Sequence, residues 1–235
     1  MELFTDTAPA RCASMLASGE VDSALVPIIE YQRIPDIAIV PNVCVGSKTA
    51  VRSVVLVTRK NNLKKVERVA LDESSRTSAA LVKILFREFL GFEPQWETSA
   101  PDVKSMLAHA DAALIIGDPA MTISREQFRV FDLATLWHEF TGLGFVFAMW
   151  MARRGGIQTS AVNFGFARDE GVANIKQIAD GHAAGLGLSP AEVTTYLTEN
   201  IVFNVDEQMQ KGLTRYFELA HKHGLISESR TLEFV

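Results

Sequence analysis

Short runs of β-branched and other apolar residues alternate along the chain with stretches whose apolar positions recur every three or four residues. The runs predict strands at Val21–Val26, Ile37–Val40, Val51–Thr58, Arg68–Leu71, Pro94–Thr98, Asp111–Ile116 and Phe145–Met151. Leu81, Val82, Leu85, Phe86 and Phe89 follow helical spacing, which predicts a helix over Ser78–Leu90 stopped by Gly91. Val103, Met106 and Leu107 mark the inward face of a second helix over Pro101–Ala110. Thr7 and Pro9 open an earlier helix that Gly19 stops, Ile28–Arg33 follows Pro27 as a helical turn, and Leu133–Phe140 makes a helix ending near Gly142. After Arg153-Arg154-Gly155-Gly156 the pattern is helical: Arg168–Ala184, Pro190–Asn200 capped by Ser189, and Asp206–His223 capped by Asp206 and closed by Gly224.

The β-α-β-α-β alternation in the middle of the chain implies an α/β protein with a parallel sheet covered on both faces. Residues 59–145 then form one lobe, and residues 1–58 plus 146–235 form the other. The strands Val51–Thr58 and Phe145–Met151 are the natural crossovers of a hinge-bending clamshell, and the cleft between the lobes is the expected ligand site.

Composition narrows the function. The chain has 235 residues, is 48% hydrophobic and 22% charged, and carries a formal net charge of −5, which excludes a disordered segment. Its densest basic group, Lys60, Lys64, Lys65 and Arg68, is interrupted by Glu67 and reads as a solvated face, so no nucleic-acid partner is expected. Cys12 and Cys44 lack metal or redox spacing, and the five histidines lack partners at ligand spacing. No metal and no cofactor are expected. The longest apolar run, Leu143–Ala152, is ten residues, about half of the roughly 20 needed to span a bilayer. Met1–Ala8 contains Glu2 and Asp6 and no basic region, so a cytoplasmic location is expected.

The candidate chemistry lies between strands and helices. In Asp72-Glu73-Ser74-Ser75-Arg76-Thr77-Ser78 a strand ends and a helix begins, which offers unpaired N–H groups, the positive end of the helix dipole and the hydroxyls of Ser75, Thr77 and Ser78. Arg76 adds a charge suited to carboxylate. This reads as a carboxylate site, with helix capping by the same hydroxyls as the alternative. In Ile115-Ile116-Gly117-Asp118-Pro119, Gly117 permits close backbone approach and Asp118 serves either as a cap or as a site residue. Ser53 is a lone polar residue in an apolar strand, and Glu30 sits at the same kind of edge. Trp137-His138-Glu139 does not read as an acid–base pair, because adjacent helical residues diverge.

Taken in order, Val21-Asp22-Ser23-Ala24-Leu25-Val26-Pro27 with Glu30-Tyr31, Val51-Arg52-Ser53-Val54, Val69-Ala70-Leu71-Asp72, Ser74-Ser75-Arg76-Thr77-Ser78, Ile115-Ile116-Gly117-Asp118 and Thr141-Gly142-Leu143 resemble the chorismate dehydratases of the futalosine route to menaquinone. The resemblance runs from about Pro9 to Arg153. It implies a fold like periplasmic binding proteins of the second type and a cofactorless lyase that converts chorismate to 3-[(1-carboxyvinyl)oxy]benzoate and water. It also implies Ser53 as the catalytic serine of the cleft, faced by the helix-start residues Ser75, Thr77 and Ser78; with these, Arg76, Gly117, Asp118 and Glu30 are read from their positions as binding the dicarboxylate substrate, and a homodimer stays open. Three features depart from the family. The Ser-Tyr-Leu-Asn-like turn that family members carry before the region matching Met1 is not in this sequence, so the first lobe as given is expected to lack a strand and the asparagine that strand presents. Gly46-Ser47-Lys48-Thr49-Ala50 stands where Asp-Gly-Pro is usual, and Gly144 stands where proline is frequent. The rival readings are the sibling enzyme that makes 1,4-dihydroxy-6-naphthoate, for which a histidine in the cleft is expected, and a solute-binding protein without catalysis.

Overall fold

The computed structural model describes residues 2–6, 8–155 and 162–235; Thr7 and Gly156 lie outside them. In chain order, α1 (Pro9–Ser18) leads into β1 (Ser23–Pro27), a 3₁₀ turn (Ile28–Gln32), β2 (Ile37–Ser47), β3 (Val54–Thr58) and β4 (Arg68–Asp72). Next come α2 (Thr77–Ile84), β5 (Gln95–Ser99), α3 (Val103–His109), β6 (Ala112–Ile116), α4 (Asp118–Met121), β7 (Arg129–Asp132), α5 (Leu133–Thr141) and β8 (Phe145–Arg153). The tail contains α6 (Phe164–Ala173), α7 (Ile175–Leu186), α8 (Pro190–Thr195) and α9 (Glu207–Lys222). π-helical turns extend α2 through Leu90 and α8 through Asn200.

Two sheets carry the fold. The smaller has the order β1-β8-β2, with β8 antiparallel to both neighbours. The larger has the order β5-β4-β6-β3-β7. The expected parallel core is present in β5-β4-β6, but β3 runs antiparallel to both β6 and β7, so this sheet is mixed. All five residues of β3 are buried, which explains an unbroken apolar run instead of an alternating one. β3 is bonded wholly within the larger sheet, and residues 51–53 before it form a turn instead of strand. β7 was not expected: it is four residues long, half-buried and at a sheet edge, so its sequence carries little periodicity. The long helix expected over Arg168–Ala184 breaks at Asn174, whose side-chain amide donates to the carbonyl of Glu170 and ends α6.

One continuous buried cluster contains residues from both sheets. At its centre the fully buried Trp137 of α5 meets Phe145 of β8 edge-on at 5.4 Å, and Tyr216 of α9 meets Phe145 at 5.1 Å. Helix α9 reaches this point because the backbone it crosses has no side chains there. A Cβ on Gly212 would overlap the carbonyl oxygen of Gly144, and one on Gly144 would lie 2.7 Å from Met209 Cγ. Glycine at position 144, where proline is frequent among the relatives the sequence resembles, is thus part of the seat for α9.

Two polar clusters tie distant segments together. Asp132, at the end of β7, accepts the N–H groups of Ala134 and Thr135 at the start of α5 and those of Val51 and Arg52 on the crossover from β2 to β3. Asp132→Ala deletes a helix cap and leaves two crossover amides without their acceptor. It is expected to lower stability by about 2 kcal/mol in urea denaturation. In the π-turn after α2, Glu88 accepts from Lys222 at 2.7 Å and lies 2.9 Å from His223 Nε2. The hydrogen bond from Lys222 and then that from His223, opposed by partial desolvation, hold the Glu88 carboxyl below its ordinary value of 4.5. A depressed folded-state value stabilises above about pH 4.5, and the contribution fades as pH falls through the folded value. Glu88→Gln is therefore expected to lose less melting temperature than the native chain between pH 6 and pH 3, and the two should converge at the acid end. An equal loss in both chains would count against this tie.

Candidate active site

Strand direction collects the candidate residues. β4 and β6 are parallel and β3 is antiparallel to β6, so the start of β3, the β4–α2 connection and the β6–α4 connection all lie on one edge of the larger sheet. Ser53, the Ser75–Ser78 segment and Gly117-Asp118 occupy those three positions. Open α/β sheets bind ligands at this edge.

Ser53 is presented by a strained turn. Its N–H donates to the carbonyl of Val51 at 2.7 Å across Arg52, whose φ is +64°. That combination is the left-handed γ-turn, a costly conformation that persists only where its surroundings fix it. Asp132 supplies the fixation through the amides of Val51 and Arg52. The carbonyl of Ser53 accepts the N–H of Gly117, which ties the two motifs together. The Ser53 side chain is buried, and Tyr196 donates to its Oγ at 2.9 Å. The carbonyl of Val51, at 3.5 Å, is a poor acceptor for the serine's own proton.

Gly117 has φ 70° and ψ −152°, a region essentially closed to other residues, and a Cβ there would meet nothing within 4 Å. The backbone is therefore open to close approach by a ligand. Gly117, not Asp118, is the N-cap of α4, and Asp118 makes no capping bond. Asp118 is exposed and free to act at the edge.

The start of α2 is likewise uncapped. Its N-cap is Arg76, and no side chain accepts from its first turn. Thr77 Oγ1 instead accepts the N–H of Ile29 at 3.3 Å, and the Thr77 carbonyl accepts the hydroxyl of Tyr216 at 3.0 Å. Ser78 is buried, and Ser75 Oγ is buried with no hydrogen-bond partner. Ser75 and Arg76 line a cavity of about 140 Å³ together with Arg33 and Lys83. Arg33 pairs with the buried Glu30 at 2.8 Å, whereas Arg76 and Lys83 pair with no carboxylate among the described residues. Desolvation first, and then the charges of Arg87 and Arg33, push the Lys83 ammonium below its ordinary value. This flank of α2 therefore carries two cations, Arg76 and Lys83, without an ion-pair partner among the described residues, which suits an anion.

Sequence reasoning missed Tyr196. It opens the π-turn after α8, 143 residues from Ser53, and nothing in its neighbourhood in the sequence marks it. The tail carrying it docks on the crossover through two further contacts, Asn200 Nδ2 to the carbonyl of Ala50 at 3.1 Å and the Arg52–Glu192 ion pair at 3.4 Å. The Trp137-His138-Glu139 triplet is structural, as its divergence on the helix requires. Trp137 is core, His138 Nδ1 lies 3.3 Å from the carbonyl of Leu143, and Glu139 is exposed. Among the described residues no cluster of three or more His, Cys, Asp or Glu side chains is arranged to hold a metal, and no helix is long and apolar enough to cross a membrane.

Two sheets define the class, and solved structures agree. Protein AF1704 from Archaeoglobus fulgidus superposes with a TM-score of 0.76 at 18% identity, covering 96% of this chain and 87% of that one. The periplasmic aliphatic sulphonate binding protein SsuA from Escherichia coli gives 0.59 at 19% identity over 97% and 84%. A Candida albicans protein described as having the generic periplasmic binding protein fold gives 0.59 at 12% identity over 95% and 79%. The fold is therefore periplasmic-binding-protein-like. Within that class the chain belongs to the menaquinone biosynthesis family, whose sequence profile matches residues 3–222. It is a homologue of the chorismate dehydratase of Thermus thermophilus, 32% identical over 230 residues that cover 89% of this chain and 83% of that protein.

Proposed function

We propose that this chain is a lyase that dehydrates chorismate to 3-[(1-carboxyvinyl)oxy]benzoate, acting without a cofactor in the cytoplasm. The observation that carries the reading is Ser53, set by a strained turn on the same sheet edge as the uncapped start of α2, in a homologue of a chorismate dehydratase. In this reading the two sheets are the bases of two lobes, and the chain passes between them at residues 48–53 and 142–144.

Chorismate carries two carboxylates. The free N–H groups of α2 with Ser75 and Ser78, and the cations Arg76, Arg33 and Lys83 along its flank, supply positive ends for them. Glu30 holds Arg33 in place. Gly117 lets the ring come close to the backbone, and Asp118 accepts a hydrogen bond from the substrate's one ring hydroxyl and so orients it before it departs. Ser53 keeps its proton and donates a hydrogen bond to the departing hydroxyl oxygen, which develops negative charge. The ring proton leaves first, to a carboxylate of the substrate itself, and its bonding electrons enter the ring. The bond from the ring to its hydroxyl oxygen then breaks, and the hydroxide takes the proton back from the substrate carboxylate and leaves as water. Aromatisation drives the reaction, so the protein needs only to position and to stabilise charge.

The five histidines lie on α3, α5 and α7 and at the end of α9, away from the three connections that form the edge, which favours this reading over the sibling naphthoate-forming enzyme. Incubation of the purified chain with chorismate, followed by mass spectrometry, is expected to show replacement by a product one water lighter. Chorismate that is bound but recovered unchanged would indicate a solute-binding protein instead.

A further inference from the structure

We propose that Tyr196 is a positioning residue for the dehydration: its phenol donates to Ser53 Oγ and thereby turns the serine's own proton toward the substrate. The inference rests on the reading of Ser53 given above. It follows from the number of partners a serine hydroxyl has. Oγ carries one proton and two lone pairs. Tyr196 occupies a lone pair at 2.9 Å. The carbonyl of Val51, at 3.5 Å, does not hold the proton. What remains is an O–H with no good protein acceptor, on the ligand-facing edge of the sheet. Donation into Oγ polarises that O–H and makes it the better donor, as in other hydrogen-bond chains in a low-dielectric site.

The phenol is also kept in its donating form. Burial raises its ionisation above the ordinary value of 10.0, the bond to Ser53 lowers it, the Asp118 carboxylate raises it and Arg52 lowers it, and the balance is upward. Tyr196 therefore stays protonated across the neutral range, and no proton leaves it during turnover. The ring is fixed by its backbone. A π-turn, in which the N–H of Ile201 reaches the carbonyl of Tyr196, follows α8, and such turns recur at functional sites. Glu192 and Asn200, on either side, dock on Arg52 at the centre of the strained turn and on Ala50 just before it. The tail thus closes over the crossover with the phenol aimed at the one residue the turn presents.

The test compares steady-state kinetics of the native chain, Tyr196→Phe, Ser53→Ala and the double variant with chorismate. Tyr196→Phe keeps the ring and its packing, and melting curves check that it folds. It is expected to lower kcat about tenfold, the value of one lost hydrogen bond, and to leave KM within about twofold. In the Ser53→Ala background the same change is expected to cost nothing further, because the group it orients is gone. Full activity in Ser53→Ala would overturn the reading of Ser53 itself. A crippled Ser53→Ala together with an unimpaired Tyr196→Phe, or with a tenfold loss from Tyr196→Phe in both backgrounds, would overturn the positioning role alone.

Discussion

Ser53→Ala is expected to lower kcat for chorismate dehydration by about 10²–10³, with KM changed much less. The magnitude is that of removing one preorganised donor from a site where negative charge develops. Binding should survive, because the α2 start and the cations Arg33, Arg76 and Lys83 do not depend on Ser53. The fold should survive as well: the γ-turn is held by backbone groups and by Asp132, not by the serine side chain. The phenol of Tyr196 loses its acceptor, which costs about 1–3 kcal/mol where no water reaches it. A Ser53→Thr variant keeps the hydroxyl and is expected to recover part of the activity. Equal activity of all three chains in a direct assay would remove Ser53 from the mechanism.

Gly212→Ala is expected to be among the most destabilising single methyl additions in the molecule. Position 212 lies in the middle of α9, where alanine is ordinarily the better helix former by about 1 kcal/mol. Here the sign reverses. The added Cβ would overlap the carbonyl oxygen of Gly144, and the obstacle is backbone, not the end of a flexible side chain. Helix α9 would have to lift from β8 and draw Tyr216 and Met209 out of the core. Overpacking of this kind costs about 3 kcal/mol or more, and urea denaturation measures it. A stability equal to or above that of the native chain would mean that α9 does not sit this close.

Much of this arrangement was legible in the sequence, and the rest was not for identifiable reasons. The buried run Val54–Val57 and the periodic face of α2 announce themselves because burial demands apolar residues at fixed intervals. Ser53 and Gly117 stand out as a lone hydroxyl and a lone glycine at the ends of such runs. The β7 edge strand, half-buried over four residues, carries too little pattern to be seen. Asp132 was invisible as an organiser because two of its four amide partners, Val51 and Arg52, lie 81 and 80 residues away and the other two open its own helix. Tyr196 was missed for the same reason: its meaning lies in a contact that only the fold creates. The start of α2 bears on one alternative that sequence left open, helix capping. Ser75, Thr77 and Ser78 were as consistent with caps as with a ligand site, and none of them caps the helix.

The central claim is that the edge formed by Ser53, the α2 start and Gly117-Asp118 is where chorismate is held and dehydrated. A crystal structure of Ser53→Ala soaked with chorismate tests it most directly, because the slowed variant should retain unreacted substrate. The account predicts the ring against the Gly117 backbone, a carboxylate at the first turn of α2, and the departing hydroxyl oriented toward position 53. Chorismate bound elsewhere on the molecule, or absent at saturating concentration, would contradict it.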